Sequence, residues 1–324
     1  MQAKVHSPTP SNLRRLARAL RRGELVAIPT ETVYGLAAHA LDARACRAIF
    51  MAKGRPANDP LIVHVLDLAG AEKLAEFNPT ARKLARRFWP GPLTLVLPKK
   101  SCVPDIVTSG GKTVALRSPA HPLARRLLRL TGIPLAAPSA NLFGYISPTQ
   151  PAHVIDGLGR RIKHVLDGGI CPVGVESTII DLTNPKRLRI LRPGAVTSDT
   201  LEKFLGRPVG QARNVSNRKR MLAPGMMERH YSPRTPLRLK NPGSRLPGNV
   251  AVIFLRKPPG PTGPNVHWFS LRGTLAEISR NLYRVLRQVD QAGHREIWVE
   301  SPLPGAGGLA TAIQDRLMRA AMKR

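Results

Sequence analysis

Several short islands in this chain of 324 residues carry the kinds of groups that hold anions. Lys53-Gly54-Arg55-Pro56 sets two cations around a glycine, and Arg117 closes a short apolar run before Ser118-Pro119. Ser139-Ala140-Asn141 offers a hydroxyl and an amide two residues apart. Glu176-Ser177-Thr178 puts a carboxylate beside two hydroxyls, and Arg192-Pro193-Gly194 adds another guanidinium. Arginine forks match carboxylates and phosphates, lysine supplies a point charge, and hydroxyls and amides give direction. A further segment, Pro29-Thr30-Glu31-Thr32-Val33-Tyr34-Gly35, crowds polar groups behind the apolar run 25–28. Each island also has a structural reading. Lys and Arg at a helix end complement its dipole, Pro, Thr and Gly are turn residues, and His64 within 61–65 reads equally as a core histidine.

The elements that must position these groups alternate along residues 1–208. Helix 12–22, with Ser11 or Asn12 as cap and Gly23 as stop, leads to strand 24–28; Asp42 caps a helix through Lys53. Strand 61–65 follows, then helices near 68–77 and 80–89, the second capped by Thr80. Strands are expected at 93–97, 114–117, 134–137, 164–166, 178–182 and 188–191, with a last helix at 199–205. Several of these strands are joined too closely for helical crossovers, so the sheet is expected to be mixed. The islands fall at strand ends, where α/β folds assemble their sites.

Residues 209–236 are polar, basic and aperiodic, as in a linker, except for His230-Tyr231-Ser232-Pro233. Residues 237–324 form a smaller α/β pattern: strand 250–255, helix 275–291, strand 297–299, then Gly305-Ala306-Gly307-Gly308 before a helix through Ala321. That glycine loop reads as a tight turn, because the dinucleotide spacing is absent. Gly110-Gly111-Lys112-Thr113 imitates a P-loop end, but the upstream glycine position holds Ile106. HExxH, GxSxG and paired cysteine–histidine patterns are missing too, which disfavours a zinc enzyme or triad hydrolase.

Hydrophobic residues make up 42% of the chain, enough for packed cores, and no apolar stretch nears the about 20 residues of a membrane span. Cys46, Cys102 and Cys171 are too scattered for a disulfide framework, which points to a reducing, cytoplasmic setting. The formal net charge of +31 is spread along the whole chain and attracts polyanions, RNA included. Charge so diffuse fits a general arginine bias equally well. Residues 1–23 are basic and lack acid, yet their helical spacing favours an integral first helix over a targeting peptide.

The ordered set PTETVYG (29–35), KGRP (53–56), PLIVHV (60–65), WPGPLT (89–94), ALRSP (115–119), APSAN (137–141), DGG (167–169), ESTIID (176–181) and LRPGAV (191–196) closely resembles the YrdC-like family. HYSP (230–233) and the C-terminal α/β segment resemble its longer members, the L-threonylcarbamoyladenylate synthases. The resemblance implies an α/β fold with a YrdC-like open twisted mixed sheet and flanking helices, plus a small Rossmann-like C-terminal domain. It implies a catalytic domain over 1–208, a linker or lid over 209–236 and a small domain over 237–324.

It further implies a reaction of L-threonine, bicarbonate and ATP, with Mg2+ accompanying ATP and no organic cofactor. A downstream tRNA threonylcarbamoyl transferase would consume the product. By the same resemblance Thr32, His64, Arg117, the backbone at Ala137 and Ser177 would hold L-threonine. Lys53, Arg55, Asp59, Thr113, Ser139, Asn141, Ser147, Arg192 and Tyr231 would hold ATP, Asp59 through its backbone because its carboxylate would repel phosphate. No residue is expected to serve as covalent nucleophile or base, and Glu31 has no assigned role. One competing reading is a non-enzymatic double-stranded RNA or tRNA binder, which the charge suits. Against it, only 4% of residues are aromatic, too few for a stacking platform. A carbamoyl-adenylate enzyme of hydrogenase maturation would call for zinc-finger and acylphosphatase-like regions, which the sequence does not show.

Overall fold

A computed structural model of the chain describes residues 2–212, 230–240, 248–301 and 307–322. Residues 213–229 of the expected linker, and Gly305-Ala306 of the glycine loop, lie outside the described residues. Strands β1 (Lys4–His6), β2 (Val26–Ile28), β3 (Gly35–His39), β4 (Ile62–His64), β5 (Leu93–Pro98), β6 (Thr113–Arg117), β7 (Leu135–Ala136), β8 (His164–Leu166), β9 (Thr178–Asp181), β10 (Arg189–Arg192) and β11 (Gly210–Gln211) form one sheet. Their order is β1-β8-β2-β3-β7-β4-β6-β5-β9-β10-β11. Pairing is mixed: β4 runs parallel to β6 and antiparallel to β7, while β5 runs parallel to β9 and antiparallel to β6.

Helices α1 (Pro10–Arg21), α2 (Ala43–Lys53), α3 (Leu68–Glu72), α4 (Pro79–Phe88), α5 (Pro122–Thr131), α6 (Pro151–Leu158) and α7 (Ser198–Leu205) flank this sheet. In α1 the apolar spacing of Leu13, Leu16, Ala17 and Leu20 makes a buried stripe that packs against Leu127 and Leu128 of α5 and Val26 and Ile28 of β2. Its cap is Thr9, whose hydroxyl accepts from the Asn12 amide, with Pro10 in the first turn. The expected Ser11 and Asn12 therefore sit inside the helix. The cap of α4 is likewise Asn78, since Pro79 occupies the first turn ahead of Thr80. Asp42 does cap α2, and Gly54 ends it in the left-handed region at φ 61°. Glycine meets that conformation without a Cβ penalty, so the chain turns sharply between Lys53 and Arg55.

Four further strands, β12 (Leu237–Leu239), β13 (Val250–Arg256), β14 (Val266–Ser270) and β15 (Glu296–Val299), form a second sheet in the order β12-β15-β13-β14. All its pairings are parallel. Helices α8 (Leu275–Gln291) and α9 (Gly308–Ala320) pack with it through Leu282, Leu286, Ile313 and Leu317. The same hydrophobic cluster takes in Val33, Ile146 and Val175 from loops of the first sheet, and Tyr231. The two sheets thus share a core.

β3, α5 and α6 add to the sequence expectation. β3 is an alanine-rich strand buried on both faces, so it shows no alternation. The two helices open on Pro122 and Pro151, residues that punctuate like loops yet fit a first helical turn. Because Leu16 is fully buried in the α1–α5 seam, Leu16→Ala is expected to cost about 2–5 kcal/mol. A urea titration would show it as a lowered midpoint at unchanged slope.

Candidate functional site

The parallel pairing of β4 with β6 sets His64 beside Arg117 at the same end of the sheet. β7 lies on the other side of β4, and Ala137 and Ser139 follow it. Ser177 immediately precedes β9, whose first residue pairs with Leu93 of β5. These ends surround a small, partly open cavity. Thr32, His64, Arg117, Ala137 and Ser177, the expected threonine side, all line it. So do Arg55, Ser139, Arg192 and Tyr231 of the expected nucleotide side.

Arg117 is buried and its three nitrogens are engaged. Nε donates to the Gly91 carbonyl at 3.3 Å, Nη1 donates to Oγ1 of Thr32 at 3.0 Å, and Nη2 stands 2.6 Å from Oε1 of Glu31. Glu31 is therefore the ion-pair partner of Arg117. Burial pushes its carboxyl up, but the guanidinium outweighs that and leaves it below the usual range. A guanidinium has five N–H groups, so these contacts leave two for a ligand. His64 is buried, and neither ring nitrogen makes a well-formed hydrogen bond among the described residues. Burial and then the Arg117 charge lower it to about 3, although Glu31 and the nearby backbone at Ile62 and Leu135 oppose this. His64 is a neutral imidazole here.

The remaining nucleotide-side residues brace the walls. Nζ of Lys53 donates to the Ser139 and Asn141 carbonyls, both at 2.6 Å, so the lysine shapes the Ser-x-Asn loop. The Asn141 amide holds the Leu142 and Tyr145 carbonyls, and the Ser147 hydroxyl donates to Glu176 at 2.6 Å. Arg55 pairs with the Asp59 carboxylate at 2.9 Å and also donates to the Asp59 and Pro60 carbonyls. The Asp59 amide donates to the Pro56 carbonyl at 3.2 Å, so the backbone expected to meet phosphate is already used within its own loop. The Ala137 amide likewise donates to the Ile62 carbonyl at 2.9 Å, so it too is already engaged. Thr113 opens β6 at the end opposite Arg117 and does not line the cavity.

Glu176 and His230 also line the cavity, although the sequence reading gave neither of them a ligand. Glu176 accepts from Ser147 on Oε1, and from Tyr283 and Arg316 on Oε2, both at 2.8 Å. Burial alone would raise its carboxyl; the Arg316 and Arg192 charges and the hydrogen bonds from Arg316 and Ser147 hold it at about 2. His230 packs its ring 4.1 Å from that of Tyr231, and Tyr231 stacks on Tyr283 at 5.8 Å. Tyr231 adopts φ 63°, a left-handed backbone that side chains other than glycine rarely take. The signal for both residues was present: Glu176 sits in the Glu-Ser-Thr island and His230 in the linker's aromatic pair.

Residues 18–194 match the family described as "Telomere recombination", and residues 196–322 match the one described as "Threonylcarbamoyl-AMP synthase, C-terminal domain". The threonylcarbamoyl-AMP synthase of Pyrococcus abyssi is 42% identical over 95% of this chain and 93% of its own length. The chain belongs to the threonylcarbamoyl-AMP synthase family. The threonylcarbamoyl-AMP synthase of Bacillus subtilis is 40% identical over 94% of this chain and 91% of its own. A crystal structure of P. abyssi Sua5 complexed with L-threonine is similar with a TM-score of 0.89, at 39% identity, covering 98% of each chain. The E. coli YciO structure, at 21% identity and a TM-score of 0.53, covers 59% of this chain and 96% of its own and shares the fold.

No group of three or more His, Cys, Asp or Glu suited to a metal occurs among the described residues of this family member. Its site carboxylates face arginines, so this donor set offers no protein-built magnesium cage. No described helix is long and apolar enough to cross a membrane.

The neutral His64 has a consequence for stability. Its folded value lies below the usual 6.5, so protons favour the unfolded chain once the pH falls below about 6.5, and the loss grows down to about 3. His64→Asn should flatten that acid limb by about 1.4 kcal/mol per pH unit, read from denaturant unfolding at pH 7, 6 and 5.

Proposed function

We propose that this chain condenses L-threonine, bicarbonate and ATP into L-threonylcarbamoyladenylate and pyrophosphate inside the cavity lined by His64, Arg117 and Tyr231. One observation carries the reading: the residues expected on the threonine side and cations expected on the nucleotide side line a single cavity. Family membership supports it, as does the similarity to a structure complexed with L-threonine.

In this reading each group has a role that the geometry supports. The two remaining N–H groups of Arg117 pair with the amino-acid carboxylate, while Glu31 and Thr32 hold the guanidinium in place. His64, being neutral, offers the substrate a hydrogen bond without adding charge. The threonine nitrogen takes up the carbon of bicarbonate as water leaves, and the resulting carbamate presents an oxygen to the α-phosphorus of ATP. The new O–P bond forms as the bond to pyrophosphate breaks. Arg55 and Arg192 offset the phosphate charge, and no protein nucleophile is needed because positioning and electrostatics supply the catalysis. Mg2+ arrives as the companion of ATP. A tRNA threonylcarbamoyl transferase consumes the mixed anhydride, and the basic surface favours contact with tRNA in the cytoplasm.

Purified protein should release pyrophosphate from ATP only when both L-threonine and bicarbonate are present. Release independent of threonine would defeat the assignment, and no release with retained RNA binding would favour a binding module. In the same assay Thr32→Ala should raise the threonine KM about tenfold and the ATP KM less than about twofold, because it removes a hydroxyl that positions a charged group.

Tyr231, brought into the cavity wall from the expected linker, acts in this reading as a lid that keeps water from the anhydride. Tyr231→Ala should weaken ATP binding and shorten the life of the adenylate followed by chromatography. Unchanged values for both would remove the lid.

A further inference from the structure

Arg316 belongs to α9 of the second sheet's layer, yet it is only 1% exposed and does not line the cavity. Its Nε donates to Glu176 at 2.8 Å, its Nη2 to the Pro193 carbonyl at 2.9 Å and its Nη1 to Asp315 at 2.5 Å. Its guanidinium carbon lies 5.0 Å from the centre of the Tyr231 ring, a cation–π distance. Glu176 precedes Ser177 and Pro193 follows Arg192. Arg192 in turn donates to the Ser177 carbonyl at 3.0 Å and hydroxyl at 3.1 Å. One guanidinium therefore clasps the flanks of both cavity-wall segments and carries Tyr231 on its face. The segments approach so closely that a Cβ on Gly194 would stand 2.4 Å from the Thr178 amide nitrogen and 2.5 Å from the Glu176 carbonyl.

Charge adds a second argument. Arg117 and Arg55 already face Glu31 and Asp59. An uncompensated Glu176 carboxylate on the same cavity would oppose an incoming triphosphate, and like charges brought together without water repel strongly. Arg316 compensates Glu176 without taking up cavity space, and the Tyr283 hydroxyl shares the same oxygen.

We propose that Arg316 is a positioning residue for the nucleotide: by neutralising Glu176 and clasping the Ser177–Arg192 wall and Tyr231, it lets the second domain complete the ATP site. The inference rests on reading the cavity as the synthase site.

The test uses the full chain, with the ATP Kd taken from calorimetry, pyrophosphate release from steady-state kinetics, and the melting temperature recorded for each protein. Arg316→Met should weaken ATP binding about tenfold or more, because one partner of a buried pair is left behind. Adding Glu176→Gln should recover most of that loss, since the uncompensated charge is gone. An ATP Kd that stays at the wild-type value in Arg316→Met, or a loss that Glu176→Gln does not relieve, would overturn the proposal. If Arg316→Met does not fold, Tyr283→Phe decides: it removes one donor to Glu176, and should raise the ATP Kd about threefold with little change in threonine KM. An unchanged ATP Kd in Tyr283→Phe would then overturn it. A wild type that binds ATP without threonine-dependent pyrophosphate release defeats the functional reading alone, because the binding arm still reports on Arg316.

Discussion

A carboxylate shut away from water must be met by cations and donors or it protonates, and Glu176 is where this fold meets that demand. The groups that satisfy it come from far along the chain. Ser147 approaches from the loop before α6, Tyr283 from α8 and Arg316 from α9. Satisfying one carboxylate thus fixes how the second sheet's helices seat against the first sheet. It also fixes the segments that carry Ser177 and Arg192. Lys53 solves a similar problem differently: buried, with its charge disfavoured by burial and by Arg55, it sits between two carbonyls and sets the course of the loop bearing Ser139 and Asn141.

Charge in and behind the cavity wall is accordingly arranged in matched sets. Glu31 stands against Arg117, Asp59 against Arg55, and Arg316 against Glu176. Such pairing keeps long side chains in fixed rotamers, and a polar substrate then meets donors that need little rearrangement. It also explains why Glu31 belongs in the segment from Pro29 to Gly35. Its neighbour Thr32 accepts from the same guanidinium, so two adjacent side chains aim one arginine.

Much of the scaffold was legible because local chemistry fixed it. Asp42 capped α2, Gly54 ended it, and the alternation of elements placed the islands at strand ends. Arg117 could be located because it closes an apolar run. Thr113 lies in the same strand, but a five-residue strand separates its ends by about 13 Å, a distance motif order does not convey. His64 was ambiguous between core and site in the sequence, and the two descriptions merge: it is fully buried and it lines the cavity. The partners of Glu176 were not legible. Tyr283 and Arg316 are 107 and 140 residues away, and no periodicity or cap links them to it. Distant pairings of this kind are set by tertiary packing, which local pattern does not record.

The shared hydrophobic cluster has a consequence for how the molecule can be divided. Val33, Ile146 and Val175 from the first sheet's loops lie in one apolar mass with Ile253, Phe269 and Leu286 of the second unit. Severing the chain between the two sheets would not release two finished proteins. Each fragment would present half of an unsealed core to water, so the pieces would cohere as a noncovalent pair. The second unit is in that sense a cover for the first, and a shortened, self-sufficient version of the first sheet would have to exchange those apolar loop residues for polar ones.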